Sequence, residues 1–177
     1  IEKQQNILYA LGVNGNEGTG DITFVSTKEV AELFETKVSE QLVLESKDGK
    51  IVNTMTRQEF MDANSGKEPY LIDVKKQQAN AKAGESRLLP LFVGKSEKGE
   101  TYYVAPIRGK GLWDAIWGFI ALDSDMIVRG AFFDHAAETP GLGANIKQRY
   151  FMDDFEGEHL LTESGAFKGI KVAKGNA

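Results

Sequence analysis

The chain of 177 residues contains no cysteine. That absence removes a disulfide scaffold, thiolate zinc sites, cysteine-ligated iron–sulfur clusters and a cysteine nucleophile from the chemistry available within it. It does not fix a compartment, because a cysteine-free domain suits either side of a membrane. Histidine is nearly as scarce. His135 and His159 are the two present, and no HExxH occurs, so the three or more converging ligands of a histidine-built metal centre are not in view. Positive charge is also short. The net charge is −5 and the lysines and arginines are scattered, which argues against DNA or any other nucleic acid as a partner, since tracking a phosphate backbone needs a concentrated basic surface. No apolar run approaches the roughly 20 residues of a membrane helix, and no signal peptide opens the chain. Neither GxxxxGK[ST] nor a strand-embedded GxGxxG is present to cradle phosphate. What remains is a length sufficient for one domain, residues 1–177, with a substantial core.

Helix and strand patterns alternate without repeats. Ile7, Leu8 and Leu11 fall on one face of a short helix within residues 1–14, which Gly12 can terminate. NGNEGTGD (14–21) reads as a loop. Ser26 or Thr27 is placed to cap a second helix, in which Val30, Leu33, Phe34 and Val38 form a core-facing stripe. QLVLESKDGKIVN carries two short apolar runs about Asp48-Gly49, a hairpin signal. LIDVKKQ and LFVGKSEKGETYYVAPI predict further strands, the latter pair closing around Lys98-Gly99. The intervening QANAKAGES (78–86) is polar and reads as a surface loop. IWGFIALDSDMIVRGAFFD predicts a third hairpin, with its turn at Asp123 to Asp125. Several hairpins and few helices point to an α+β fold, mainly antiparallel sheet with flanking helices, rather than a doubly wound one.

Two stretches carry possible chemistry. GKGLWDAIW (109–117) sets Trp113 and Trp117 four residues apart, an even separation that puts both on one side of a strand or one face of a helix. Either core packing or stacking on a ligand would employ them. HAAETPGLGANI (135–146) joins His135, Glu138 and Thr139 to a loop in which Pro140 disfavours helix at the residue before it. Gly141 and Gly143, flanking Leu142, permit close backbone approach. A planar ligand could lie there; an ordinary strand-to-helix turn capped by Thr139 or Asn145 would look the same. His135 and Glu138 do not make a hydrolytic site, because no serine or threonine sits in a nucleophile elbow.

Taken together, GKGLW and ETPGLG, in this order and at this distance, resemble the FMN-binding domain of the C subunit of the sodium-translocating NADH:quinone reductase. More distantly they resemble the G subunit of the Rnf electron-transport complex. QQNILYALGV (4–13) is similar to the stretch that follows the family's single N-terminal membrane helix, and GIKVAKGNA (169–177) to the segment after the glycine loop. The likeness runs the length of the chain, with residues 53 to 100 carrying no recognised motif.

The resemblance implies an inner-membrane electron-transport flavoprotein, anchored by a single-pass helix upstream of residue 1. Its soluble domain would lie on the periplasmic or extracytoplasmic side. FMN would be joined through its phosphate to a threonine of an SGAT-type motif by a separate flavin transferase, which accounts for the missing phosphate loop. The ring would be held by Trp113, Glu138, Thr139, Gly141, Leu142, Gly143 and Lys171. Here SGAF (164–167) places Phe167 where that threonine would stand, and it precedes KVAKG rather than following it. The acceptor is therefore expected beyond Ala177, and FMN is not expected on this chain alone. The spacing from His135 to Glu138 is one residue longer than in the family, so His135 receives no role. The domain would relay single electrons between neighbouring subunits of a translocase that moves electrons from NADH to ubiquinone and exports sodium. It would have no independent catalysis. A non-redox module that grips a small ligand or partner peptide, and a purely structural subunit, are the competing readings.

Overall fold

A computed structural model describes residues 1–13, 24–48, 50–110 and 115–135. In chain order these form α1 (Glu2–Ala10), α2 (Val30–Lys37), β1 (Val38–Lys47), β2 (Lys50–Thr56), α3 (Arg57–Ala63) and a 3-10 turn (Pro69–Leu71). They continue as α4 (Val74–Lys82), β3 (Arg87–Lys95), β4 (Thr101–Lys110), β5 (Ala115–Leu122) and β6 (Val128–His135). The six strands make one sheet in the order β2-β1-β3-β4-β5-β6, and every neighbouring pair is antiparallel. The architecture is α+β, a mainly antiparallel sheet flanked by helices. The three expected hairpins are all present, β1–β2 about Asp48, β3–β4 about Lys98-Gly99 and β5–β6 about Asp123 to Asp125.

One face of the sheet carries the main core. Phe92, Val104, Phe119 and Ala121 meet Ile7 and Leu8 of α1, its C-cap Leu11, and Val30 and Phe34 of α2 there. The stripe read from residues 30 to 38 is thus buried, with Leu33 partly so. Two glycines let α1 approach so closely. A Cβ built on Gly130 of β6 would collide with the backbone carbonyl of Ala10, and one on Gly94 of β3 would meet Leu11 Cδ1 at 2.7 Å and the carbonyl oxygen of Lys37 at 2.9 Å. The helix ends as the sequence suggests. Gly12, at φ +87, donates to Tyr9 O and Val13 donates to Leu8 O, each at 2.9 Å, a Schellman closure that satisfies two terminal carbonyls. Tyr9 then packs edgewise on Phe132 with ring centroids 5.9 Å apart.

Three local expectations are corrected. Neither Ser26 nor Thr27 caps α2. The N-cap is Glu29 without a side-chain bond, while the carbonyl of Ser26 accepts from Glu29 N and Val30 N and its hydroxyl donates to Glu29 Oε2 at 2.9 Å. The chain makes a turn at 26–29 before it enters the helix, so Ser26 organises that turn instead.

LIDVKKQ is not a strand, and QANAKAGES is not all loop. Asp73 accepts from Lys76 N at 3.1 Å and starts α4, which runs through Lys82 until Gly84 takes φ +79. Lysine, glutamine and alanine favour helix intrinsically. Because α4 buries no residue, it shows no apolar stripe.

The unrecognised middle also contains α3, opened by a capping box. Thr56 Oγ1 accepts from Glu59 N, and Glu59 Oε1 accepts from Thr56 N, both at 3.2 Å. That T-x-x-E spacing was readable. Its Phe60 is buried with Val43 of β1 and Ile72.

A candidate flavin site at the sheet rim

The register aligns three strand ends. Gly109 of β4 is opposite Ile116 of β5, and Ile116 is opposite His135 of β6. The end of β4 that leads into GKGLW and the end of β6 that precedes the ETPGLG segment therefore lie at one rim of the sheet, on the two strands that flank β5. Gly109 and His135, far apart in sequence, share one row. The six site residues that lie in these motifs, Trp113, Glu138, Thr139, Gly141, Leu142 and Gly143, are outside the described residues, as is Lys171.

One row further in, Arg108 pairs with Trp117 and Trp117 with Asp134. The Arg108 guanidinium carbon lies 5.8 Å from the indole centroid of Trp117, a cation–π contact. Trp117 is half-buried. It belongs fully neither to the core reading nor to the ligand-platform reading, because its covered face carries a cation.

The sheet forks beside this row. The β3–β4 pairs run from Lys95–Thr101 to Phe92–Val104 and stop, while β3 continues to pair with β1 as far as Arg87 and β4 with β5 as far as Lys110. Continuing the β3–β4 register would set Pro90 against Pro106, and neither has an N–H to give to a ladder. Helix α4 supplies the missing partners. Gln78 Nε2 donates to the carbonyl of Arg108 at 2.9 Å, and Gln77 Oε1 accepts from Leu88 N at 2.8 Å.

Tyr103, Ala105, Ile120 and Leu122 alternate with the α1-facing residues and so point to the opposite face. They line a groove of about 790 Å³ that reaches Ile107 and Arg108 near the rim. By the same alternation Arg108 and Trp117 fall on the other face, with Val104 and Ala121, so the groove meets Arg108 only at its rim. An indole and a guanidinium beside glycine-bearing backbone suit a planar aromatic group that carries negative charge, and FMN is such a group. Sequence reasoning missed Arg108 and Gln78. Arg108 is visible as the residue before GKGLW, but nothing in the order of residues signals its pairing with Trp117 or its tie to α4.

Among the described residues no cluster of three or more histidine, aspartate or glutamate side chains could hold a metal. Among them, too, no helix is long and apolar enough to cross a membrane.

Known proteins share sequence and fold with this chain. Residues 111–176 match the family model described as the FMN-binding domain. The C subunit of the Na(+)-translocating NADH-quinone reductase of Pseudomonas aeruginosa is 28% identical over 99% of this chain and 65% of its own length. That of Yersinia pestis is 27% identical over 100% of this chain and 64% of its own. The chain thus spans just under two thirds of the curated relatives it matches. The crystal structure of the corresponding protein from Parabacteroides distasonis superposes with a TM-score of 0.67 at 29% identity, covering 94% of this chain and 68% of that one. NqrC of Shewanella oneidensis, with a TM-score of 0.61 at 22% identity over 94% of this chain and 73% of its own, shares the fold. Sequence likeness along the whole chain and a shared fold agree: the FMN-binding domain of this chain matches the NqrC family, the C subunits of the Na(+)-translocating NADH:quinone reductase.

Proposed function

We propose that this chain is the electron-relaying flavoprotein domain of a membrane-bound, sodium-translocating NADH:quinone reductase, a single domain held at the extracytoplasmic face by an upstream anchor. The observation that supports this reading is the row Gly109–Ile116–His135, which brings the strand ends leading into GKGLW and toward ETPGLG to one rim. When bound, FMN supplies electron transfer in single steps.

The chain's own part is to seat and orient the ring. Gly141 and Gly143 let backbone approach it, the Thr139 hydroxyl and Glu138 bond its polar edge, Trp113 and Leu142 give apolar surface, and Lys171 adds a cation. None of these acts as a nucleophile or general acid, so the domain turns over nothing alone and works with the other subunits of the complex. Attachment would come from a flavin transferase acting on a threonine outside SGAF (164–167), since Phe167 has no hydroxyl.

Coexpression of the full-length protein with the transferase tests the reading. A band fluorescent under ultraviolet light on a denaturing gel, with flavin absorbance in the native protein, is expected. A colourless native protein and a dark band would overturn it in favour of a non-redox module. The 177-residue chain alone is expected to stay dark, and fluorescence from it would place the acceptor within it, with Thr162 the first residue to test.

A further inference from the structure

We propose that the cavity between α2, β1 and α3 binds an organic cation, an alkylammonium or alkylguanidinium group, with the side-chain oxygen of Gln41 as its buried acceptor. The inference is independent of the flavin reading. β1 meets β3 here through Val38 and Gly94, at the end of the sheet where β4 begins, whereas the row of Gly109 and His135 lies where β4 ends. The pairing jumps from Val38–Gly94 to Glu40–Val93, a bulge that puts Val38 and Gln41, three residues apart, on the same face. On that face Val38 belongs to the main core and Val43 to the cluster of Phe60 and Ile72. Gln41 stands between them, and its Oε1 is buried with no hydrogen-bond partner among the described residues.

Such an acceptor needs a donor. The cavity beside it has a volume of about 650 Å³ and is lined by Phe34, Glu35, Gln41, Arg57, Glu68 and Tyr70, among others. A single water takes about 30 Å³, so there is room for a group several carbons long. An anion would find no free cation here, because Arg57 donates from Nε to Glu68 Oε2 at 2.9 Å and from Nη2 to Glu68 Oε1. Glu35 is exposed and forms no ion pair among the described residues. Tyr70 meets Phe34 edgewise, with ring centroids 5.7 Å apart. An unpaired carboxylate, aromatic rings and a buried neutral acceptor together suit a cation on a short carbon chain.

A purely structural role makes the opposite demand on Gln41. Between two apolar clusters, a leucine of similar volume serves folding better than an amide whose bond is unmade. Gln41→Leu is therefore expected to melt at or above the wild-type temperature while it loses the ligand.

The experiment is a nuclear magnetic resonance titration of the isotope-labelled 177-residue chain with n-butylguanidinium chloride at constant ionic strength. A saturable displacement of the Gln41 side-chain amide signal is expected, and none with n-butanol. Followed through the backbone signal of Tyr70, affinity should fall about tenfold or more in Gln41→Leu and about two- to fivefold in Glu35→Gln. Glu97→Gln removes an equal charge from the β3–β4 turn and should leave affinity unchanged. Tighter binding of acetyl-Gly-Arg-Gly-amide than of n-butylguanidinium would support the site with a basic side chain of a partner protein as its cation, and weaker binding would support it with a free small cation.

No saturable displacement by n-butylguanidinium, or equal affinity in wild type and a folded Gln41→Leu protein, would show that water alone fills the cavity and overturn the inference. Should Gln41→Leu fail to fold, by far-ultraviolet circular dichroism, Glu35→Gln against Glu97→Gln decides, and equal affinities in those two would overturn it. None of these results bears on the flavin reading.

Discussion

Arg108 and Trp117 face each other across β4 and β5, the guanidinium resting on the indole. Besides any role toward a cofactor, the contact should contribute to stability. Truncating Arg108 to alanine bares one face of a half-buried indole and is expected to cost about 0.5–1 kcal/mol in urea unfolding, the range of partly exposed cation–π pairs. Trp117→Phe keeps a ring for the guanidinium and should cost less than Trp117→Ala. If the double variant Arg108→Ala, Trp117→Ala loses only what the two singles lose in sum, the pair is not coupled.

Gly130 should resist even the smallest side chain. Its Cβ would occupy the site of the Ala10 carbonyl, so Gly130→Ala must push α1 off the sheet and disturb the contact of Tyr9 with Phe132. A loss of about 1–3 kcal/mol is expected, as for other overpacked cores. Gly118→Ala should behave alike, since its Cβ would meet the carbonyl of Phe132 in β6 and the Phe133 Cα at 2.9 Å. Wild-type stability in either variant would mean that α1 and β6 yield more readily than this packing implies.

The β5–β6 turn should make stability depend on acid. Asp123 Oδ1 accepts from Asp125 N at 2.8 Å and Ile127 N at 3.1 Å, and Oδ2 accepts from Arg129 Nε at 2.8 Å. Desolvation pushes the carboxyl up, but the Ile127 N–H, the Arg129 guanidinium and the Asp125 N–H together hold it below its ordinary value. A carboxyl depressed on folding contributes stability that is fully present above its unfolded value, about 3.9. That contribution is lost as pH falls through the folded value. The gap in melting temperature between wild type and Asp123→Asn should therefore be constant from about pH 7 to about 5 and close below about pH 4. A gap that persists at about pH 2 would show that the turn depends on shape rather than on ionisation.

Two substitutions in the motifs separate cofactor effects from folding. Gly141→Val adds a branched side chain where the loop is read as approaching the ring, and Trp113→Phe shrinks an aromatic side chain proposed to give the ring apolar surface. In the flavinylated protein both are expected to change the flavin spectrum or potential while far-ultraviolet circular dichroism stays as in wild type. Flavin properties unchanged in a folded Gly141→Val protein would remove the loop from the site. Trp113→Phe altering stability alone would make GKGLW a packing element.

Much of the fold was legible because its signals are local. Asp48-Gly49, Lys98-Gly99 and Asp123 to Asp125 turn the chain whatever lies elsewhere, since a turn depends on the φ preferences and side-chain bonds of a few neighbours. Gly12 ends α1 for the same reason, and Val30, Phe34 and Val38 announce a buried face through spacing alone. Helix α4 was not legible from periodicity. It buries no side chain and serves the sheet through Gln77 and Gln78, which bond backbone left open by Pro90 and Pro106.

The candidate site divides the same way. GKGLW and ETPGLG, in this order and at this distance, carry the likeness to the FMN-binding domain and are legible without a structure. Which strand ends lead into them is not. Only the pairing of β4 with β5 and β5 with β6 brings Gly109, Ile116 and His135 into one row and lays Arg108 on Trp117. Cross-strand register is set by hydrogen bonds between distant residues and by which face must be buried, and neither is a property of any short stretch of chain.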